Sequence, residues 1–356
     1  MTPLAFAGIA AAFAVAWALT GAARRYAVRR NVLDHPNERS SHTVPTPRGG
    51  GVAIVMVAVA AEVALWAIGW LSREAVLALA GGGVAVAAIG GLDDHRGVSA
   101  KARAAVHFAA AAWALGWLGG VPALRVGAGS VPLGVVGTVL AAFGIVWSTN
   151  LYNFMDGIDG IAGAEAVTCA VAGGVLLLLT GERGLAAAAF AVAAASAGFL
   201  AWNWHPARIF MGDAGSYFLG FTFAVLAVAS ERAGAVPLLA WMVLLGVFVF
   251  DATATLVRRA RRGERWHEAH RSHAYQRAAP TRADHARVSG AVAGVNVMLA
   301  SLAALGALRP AWLLPAVGAA ALALAAIYVT VERHRPMYAR RGGPDLPGST
   351  LAPRAR

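Results

Sequence analysis

The chain has 356 residues, of which 58% are hydrophobic and only 13% charged, and its formal net charge is +12. Soluble globular domains carry about 25% charged residues, so this composition excludes an ordinary water-soluble protein. A strongly basic chain could instead bind nucleic acid, and the positions of its arginines decide between that class and a membrane protein.

Apolar stretches long enough to cross a lipid bilayer recur along the whole sequence. A helix of about 20 residues spans a hydrocarbon core of about 30 Å. The sequence therefore predicts an all-α, polytopic membrane helix bundle with about eleven transmembrane helices. They cover residues 3–23, 50–71, 75–92, 104–119, 131–149, 164–181, 184–201, 216–230, 235–257, 289–307 and 311–331.

The loops between these helices differ sharply in basic charge. Of the 30 Lys and Arg residues, 25 fall in one alternating set of loops and in the C-terminal tail, and five in the other set. The positive-inside rule then places the N-terminus outside and the C-terminus in the cytoplasm. Anionic lipid headgroups account for the basic charge, so no nucleic-acid partner is predicted.

The sequence shows no separate soluble domain. Residues 1–335 are predicted to form one membrane domain, and the Pro- and Gly-rich residues 336–356 a disordered cytoplasmic tail. The first helix lacks a basic segment before it, which favours a retained span over a cleaved signal peptide. The single Cys169 lies in an apolar helix and excludes a disulfide within the chain.

Five aspartates lie in three predicted cytoplasmic loops: GGLDDHRGVSAKAR contains Asp93 and Asp94, NLYNFMDGIDGIAG contains Asp156 and Asp159, and HPARIFMGDAGS contains Asp213. Clustered carboxylates are ligands that Mg²⁺ prefers, with Mn²⁺ as the alternative ion, and such an ion commonly bridges phosphates. Each acid also has a structural alternative. Asp93 and Asp94 could be a solvated helix end, and Asp159 and Asp213 could cap the helices that follow them.

Basic residues beside these loops are candidates for phosphate binding. They are Lys101, Arg103, Arg208 and Arg48, the last directly before the glycine run 49–51, where helix-start amides also suit phosphate oxygens. Anchoring of the protein in the membrane by positive charge is the alternative for each of them.

The last large cytoplasmic loop contains WHEAHRSHAYQR, with His267, His270 and His273 at a spacing of three. On a helix these residues would share one face and could bind a metal, transfer protons or bind phosphate, or the face could simply be exposed. Asp251 lies within a predicted helix, where an acid is a functional candidate by default, although an ion pair with Arg258 is the alternative.

The chain resembles the polyprenyl-phosphate N-acetylhexosamine-1-phosphate transferase family. The resemblance rests on DHPNERSSHTVPTPRGGG, GLDDHRGVSAK, NLYNFMDGIDGIAG, NWHPARIFMGDAGS and HRSHAYQR, in the family's order and in the expected loops. Eleven helices with the N-terminus outside look like the branch that initiates O-antigen and related surface glycans.

The resemblance implies an enzyme of the bacterial inner membrane with its active site facing the cytoplasm. It would transfer a sugar-1-phosphate from a UDP-N-acetylhexosamine, such as UDP-GlcNAc, UDP-FucNAc or UDP-QuiNAc, to undecaprenyl phosphate and release UMP. A direct attack by the lipid phosphate and a covalent aspartyl-phosphate intermediate are both open. A homodimer is open as well.

The resemblance also implies roles for individual residues. Asp213 would ligate Mg²⁺ together with Asp94, and Asp93 or Asp94 would position or deprotonate the lipid phosphate. Phe210 falls where a family aromatic stacks on uracil. The implied catalytic set is Asp93, Asp94, Asp156, Asp159 and His273, and the implied substrate-binding set is Asn153, Phe210, Lys101, Arg103, Arg208, Arg48, His270 and Arg271.

One departure affects the histidine motif. Tyr275 and Gln276 stand where other branches carry histidines, which leaves His270 and His273. Two other classes of protein compete with the enzyme: a cation-coupled transporter or flippase, and a structural anchor for a glycan-assembly complex. A transporter should carry its charges near the bilayer midplane, where only Glu62 and Asp251 are candidates.

Overall fold

A computed structural model of the chain describes residues 3–34, 44–264 and 270–338. Helices dominate, and two short antiparallel strand pairs are the sheet structure of the described residues. The helices are α1 Pro3–Arg29, α2 Val52–Ala67, α3 Arg73–Val76, α4 Gly82–Arg96, α5 Ala100–Leu118, α6 Gly134–Met155, α7 Ile161–Leu179, α8 Arg183–Asn203, α9 Asp213–Arg232, α10 Leu238–Leu244, α11 Gly246–Arg261, α12 Ala274–Ala278, α13 His285–Leu308 and α14 Leu313–His334. The strand pairs are β1 Leu33–Asp34 with β2 Thr46–Pro47, and β3 Ala123–Val126 with β4 Gly129–Pro132.

The predicted all-α membrane bundle is confirmed, and each of the eleven predicted segments contains a helix. Within the described ranges, eight helices are long and apolar enough to cross a membrane, counting α3, the π-helical turn Leu77–Gly81 and α4 as one. A ninth span results if α10 and α11, which meet at an angle of 80°, are taken together. The other two predicted segments correspond to α2, with 16 residues, and to α5. The sidedness of the bundle stays a prediction.

Helix α9 lies at the centre of the bundle and is buried along nearly its whole length. Glycines let its neighbours approach its backbone closely. A Cβ atom added at Gly51 would lie 2.5 Å from the Cα atom of Gly215, and one added at Gly90 would lie 2.6 Å from the carbonyl carbon of Asp213. Because both contacts are at the start of α9, they bring α2 and α4 together at that end of the bundle.

Several acids are buried between the helices. The Glu165 carboxylate accepts a hydrogen bond of 2.6 Å from the Asn296 side chain, which joins α7 to α13. Both carboxyl oxygens of Glu62 are buried with no hydrogen-bond partner among the described residues, so the role of this acid stays open. The ion pair with Arg258, which the sequence allowed as an alternative role for Asp251, is not formed, because Arg258 pairs with Glu332 at 2.7 Å.

The predicted boundary between a membrane domain and a disordered tail falls close to the end of the described residues. Helix α14 ends at His334, and the described chain continues to residue 338. Residues 339–356, most of the predicted tail, lie outside the described part of the chain.

Candidate active site

The loops of the sequence motifs surround a cavity of about 280 Å³ at one end of the bundle. Seven residues predicted for the site line this cavity: Arg48, Asp94, Asn153, Asp156, Asp159, Phe210 and Asp213. Seven others are not among its lining residues: Asp93, Lys101, Arg103, Arg208, His270, Arg271 and His273. The cavity is also lined by residues that the sequence did not single out, among them Asp34, Asn203 and His285.

Asp94 connects the end of α4 to the start of α9. Its carboxylate oxygens accept the backbone N–H groups of Asp213 at 3.1 Å and of Ala214 at 3.4 Å. These are amides that a helix start leaves without partners in its own chain segment. Asp94 therefore caps a helix that begins 119 residues later in the chain. Asp213 does not cap α9 itself, as one interpretation of the sequence proposed, but is its first residue.

Asp213 and Asn153 meet across the cavity wall. The Asn153 amide donates hydrogen bonds to Asp213 Oδ1 at 2.8 Å and to the Ser216 hydroxyl at 3.0 Å. Since Asn153 lies in the last turn of α6, this contact ties the second acidic motif to the third. One oxygen of the Asp213 carboxylate is thereby oriented by the protein.

Asp156 is the carboxylate with the fewest ties to the protein. It is half-buried at the end of α6, and no hydrogen-bond donor reaches its carboxylate from the described residues. Burial, together with the nearby carboxylates of Asp213, Asp94 and Asp159, raises its pKa to about 7. A carboxylate held in this way gains stability from a bound cation.

Asp159 is bound on several sides. Its Oδ2 atom lies 2.7 Å from His205 Nδ1 and accepts the Ala207 amide at 3.1 Å, and its Oδ1 atom lies 3.4 Å from His285 Nδ1. Burial would raise its pKa, but hydrogen bonds from His285, the Ala207 amide and His205 lower it to about 2. Asp159 thus joins three loops as an anion.

Neither histidine partner of Asp159 was predicted from the sequence, although His205 stands in the quoted motif NWHPARIFMGDAGS. His205 and His285 lie 46 and 126 residues further along the chain. The three side chains could in principle hold a metal ion. However, the Arg282 guanidinium lies 3.7 Å from the same carboxylate, and its positive charge opposes a cation there. The capping role that the sequence allowed for Asp159 is not formed, since Gly160 precedes α7.

Among the described residues, Arg48 is the arginine that lines the acidic cavity. It donates a hydrogen bond to the Asp94 carbonyl oxygen, and its Nε atom lies 3.7 Å from Asp94 Oδ1. The amides of Gly50 and Gly51 are not available to phosphate, contrary to expectation, because they donate to the carbonyl oxygens of Phe210 and Met211 at 2.9 and 2.8 Å. The glycine run instead joins β2 to the loop before α9.

Asp93 shares a side-chain hydrogen bond with the Asp213 carboxyl, and its other partners differ from those of its neighbour Asp94. The Asp93 carboxylate accepts hydrogen bonds from the Val98 amide and from Arg103, which also donates to the Tyr217 hydroxyl at 3.1 Å. This group fixes the turn between α4 and α5 beside the cavity. Lys101 is exposed, and the exposed Arg208 guanidinium lies 5.8 Å from the Trp202 ring centre.

The histidine motif does not form one helical face. Helix α12 begins only at Ala274, so His270 and His273 precede it, and His267 lies outside the described residues. His273 is fully buried, with Nδ1 at 3.6 Å from Asp251 Oδ1, and burial lowers the pKa of His270 to about 3. Arg271 is exposed, and from α12 it is Gln276 that lines the cavity.

The fold and the cavity define a membrane protein of many helices with a carboxylate-rich pocket at one end of its bundle. Residues 76–231 match the family described as Glycosyl transferase family 4. The chain is 29% identical over 245 residues to the probable undecaprenyl-phosphate N-acetylglucosaminyl 1-phosphate transferase of Bacillus subtilis, which covers 68% of each chain.

Two further relatives agree with this match. The undecaprenyl-phosphate alpha-N-acetylglucosaminyl 1-phosphate transferase of Escherichia coli is 27% identical over 68% of this chain and 67% of its own. The phospho-N-acetylmuramoyl-pentapeptide-transferase of Moorella thermoacetica is 39% identical, over 33% of this chain and 36% of its own. The family match and these relatives confirm the predicted resemblance to the polyprenyl-phosphate N-acetylhexosamine-1-phosphate transferase family.

Proposed function

We propose that this protein transfers an N-acetylhexosamine-1-phosphate from a UDP-sugar to undecaprenyl phosphate and releases UMP. The observation that carries the proposal is the convergence of Asp94, Asp156, Asp159 and Asp213 from three motifs around one cavity with Arg48 at its edge. The names of the relatives support the lipid carrier and the sugar-1-phosphate. The product would start a lipid-linked surface glycan such as O-antigen.

The donor set of the cavity suits Mg²⁺. Hard divalent cations bind carboxylate oxygens, and Mg²⁺ is commonly held by one or two carboxylates together with substrate phosphates. Asp156, which has no donor from the described residues, and Asp213, with one oxygen tied to Asn153, would hold it. Bound there, Mg²⁺ would neutralise charge on the pyrophosphate of the UDP-sugar. The Asp94 oxygens already accept two amides, so Asp94 would chiefly keep α9 in place.

The remaining cavity residues would bind and orient the substrates. The Arg48 guanidinium suits phosphate oxygens, since its planar fork matches their geometry. Phe210 is half-buried in the lining and offers an aromatic face to the uracil. A lipid phosphate is largely a dianion near neutral pH and is itself a nucleophile, so the protein need only align it with the donor phosphorus and stabilise the charge.

The location of the site fits both substrates. The acidic motifs lie at the ends of membrane helices, where a lipid could present its phosphate without leaving the bilayer. We propose that this end faces the cytoplasm of a bacterial inner membrane, because UDP-sugars and the basic loops are on that side.

The test is an assay of purified full-length protein with undecaprenyl phosphate, Mg²⁺ and a panel of UDP-N-acetylhexosamines, following UMP and the lipid product. We expect one donor to give stoichiometric UMP and lipid-linked sugar phosphate. Asp213→Asn should abolish turnover and its response to Mg²⁺, whereas Asp284→Asn, at an acid that does not line the cavity, should not. Folded wild-type protein that releases no UMP with any donor would refute the proposal.

A further inference from the structure

We propose that Asp251 is a positioning residue, which holds the short helix α12 so that Gln276 stays in the wall of the acidic cavity. The acid lies in α11, inside the bundle, and does not itself line that cavity. The effect of Asp251 on the reaction rate rests on the transferase function proposed above, but the contact between Asp251 and α12 can be tested without that function.

Helix α12 cannot stabilise itself. It has five residues, and isolated helices shorter than about 12 residues are marginal in water. Asp251 supplies the missing support at its N-terminus, where its two carboxylate oxygens accept the amides of Ala274 at 2.8 Å and Tyr275 at 3.0 Å. Thr255, one turn along α11, donates to the same carboxylate at 3.0 Å. The acid is therefore fully engaged in holding this helix start.

The opposite side of α12 rests on the second acidic motif. The Tyr275 hydroxyl donates to the Phe154 carbonyl oxygen at 3.1 Å. A Cβ atom added at Gly157 would lie 2.2 Å from that hydroxyl and 2.9 Å from Gln276 Nε2. Gly157 directly follows Asp156, so α12 touches the loop that carries the least restrained carboxylate of the cavity.

Gln276 is oriented within α12. Its Oε1 atom accepts the backbone N–H of His273 at 3.4 Å, which leaves the Nε2 group directed to the Gly157 side. Gln276 lines the cavity, whereas His273 does not. An amide nitrogen at this place can donate to a phosphate or sugar oxygen of a bound substrate. Displacement of α12 would move this donor.

His273 belongs to the same support. Its ring is buried, with Nδ1 3.6 Å from Asp251 Oδ1, and it stacks on the Tyr275 ring with the centres 5.8 Å apart. Because it contacts the carboxylate and the start of α12 instead of lining the cavity, it acts through the position of the helix. Asp251 and His273 are thus one structural unit behind Gln276.

The first experiment measures amide hydrogen exchange of residues 270–279 in the full-length protein in nanodiscs. Asp251→Asn keeps the size of the side chain but leaves one acceptor oxygen for two amides, so this segment should exchange faster. Glu231→Gln is the matched control, since Glu231 is a buried carboxylate that accepts the amides of Arg125 and Leu238, each at 2.7 Å, away from the cavity. Unchanged exchange of residues 270–279 in Asp251→Asn, or an equal increase in the control, would overturn the inference.

The second experiment is a double-mutant cycle on kcat/KM for UMP release, with Asp251→Asn and Gln276→Ala alone and combined. A misplaced group can cost up to about a hundredfold in rate, and we expect the double variant to lose no more than the more impaired single variant. Asp251→Glu should recover part of the rate. Multiplicative losses would show that Asp251 does not act through Gln276. If wild-type protein releases no UMP, the proposed function fails, and the exchange experiment still decides whether Asp251 holds α12.

Discussion

Two adjacent glycines in α4 allow a direct test of the contact between the acidic motifs. A Cβ atom at Gly90 would lie 2.6 Å from the carbonyl carbon and oxygen of Asp213 and 2.7 Å from the nitrogen of Ala214. Non-bonded carbon atoms are most stable at about 3.5–4.0 Å, so Gly90→Ala must move α4 and α9 apart by about 1 Å. That shift would break the hydrogen bonds between Asp94 and the start of α9, which are 3.1 and 3.4 Å long.

A displacement of this size at a catalytic group costs up to about a hundredfold in rate. We therefore expect Gly90→Ala to lower kcat/KM for UMP release by about that factor. Gly91→Ala is the control, because its Cβ would lie 3.9 Å from the Ala214 Cβ, an ordinary contact, and alanine favours a helix over glycine by about 1 kcal/mol. Equal activity of the two variants in the same assay would refute the argument that α4 sets the position of Asp213.

Three further predictions concern the loop around Asp156. The pKa of Asp156 is raised to about 7, so below that pH a proton competes with Mg²⁺ on its carboxylate. The increase in melting temperature caused by Mg²⁺ should therefore be larger at pH 8 than at pH 6, and Asp156→Asn should reduce this difference. Gly157→Ala should displace α12 and reduce UMP release up to about a hundredfold, while Gly144→Ala, with no atom within 4 Å of its Cβ, should be neutral in the same assay. The pKa of Asp159 is lowered from 3.8 to about 2, so its hydrogen bonds stabilise the fold above pH 4 and are lost as the pH falls towards 2. Asp159→Asn should therefore lower the melting temperature at pH 7. A variant as stable as wild type at that pH would contradict the hydrogen bonds assigned to Asp159.

The apolar pattern predicted the helices well because burial in lipid leaves a long, uninterrupted signal in the sequence. The boundaries were harder to predict where structure depends on distant contacts. The break between α10 and α11 falls within one continuous apolar segment, at residues 244–246, and the segment itself carries no proline there. Its continuous hydrophobicity is compatible with a straight span as well as with a bent one.

The convergence of the acidic motifs could be predicted from the sequence, because all three lie at helix ends. The separate role of each aspartate could not. Asp93 and Asp94 are neighbours on α4, where successive side chains point about 100° apart. Asp93 therefore meets Arg103 at the start of α5 as well as the Asp213 carboxyl, whereas Asp94 accepts backbone amides at the start of α9. The partners of Asp159 were equally hidden, because His285 approaches it only through the packing of α13.

The distribution of acids also bears on the competing transporter hypothesis. A broken helix such as residues 238–261 is a feature that transporters use at ion sites near the midplane. Here the described residues that line the acidic cavity include none from that segment, and the Asp251 carboxylate accepts backbone amides of α12. Glu165 is bonded to an asparagine and Glu231 to backbone amides, so each holds a local contact. Of the acids inside the helices, Glu62 alone has no partner among the described residues, and a single such site does not make a pathway. Asp156, the cavity carboxylate that no donor from the described residues reaches, lies instead at the end of α6, where the proposed reaction between a soluble nucleotide and a membrane lipid would take place.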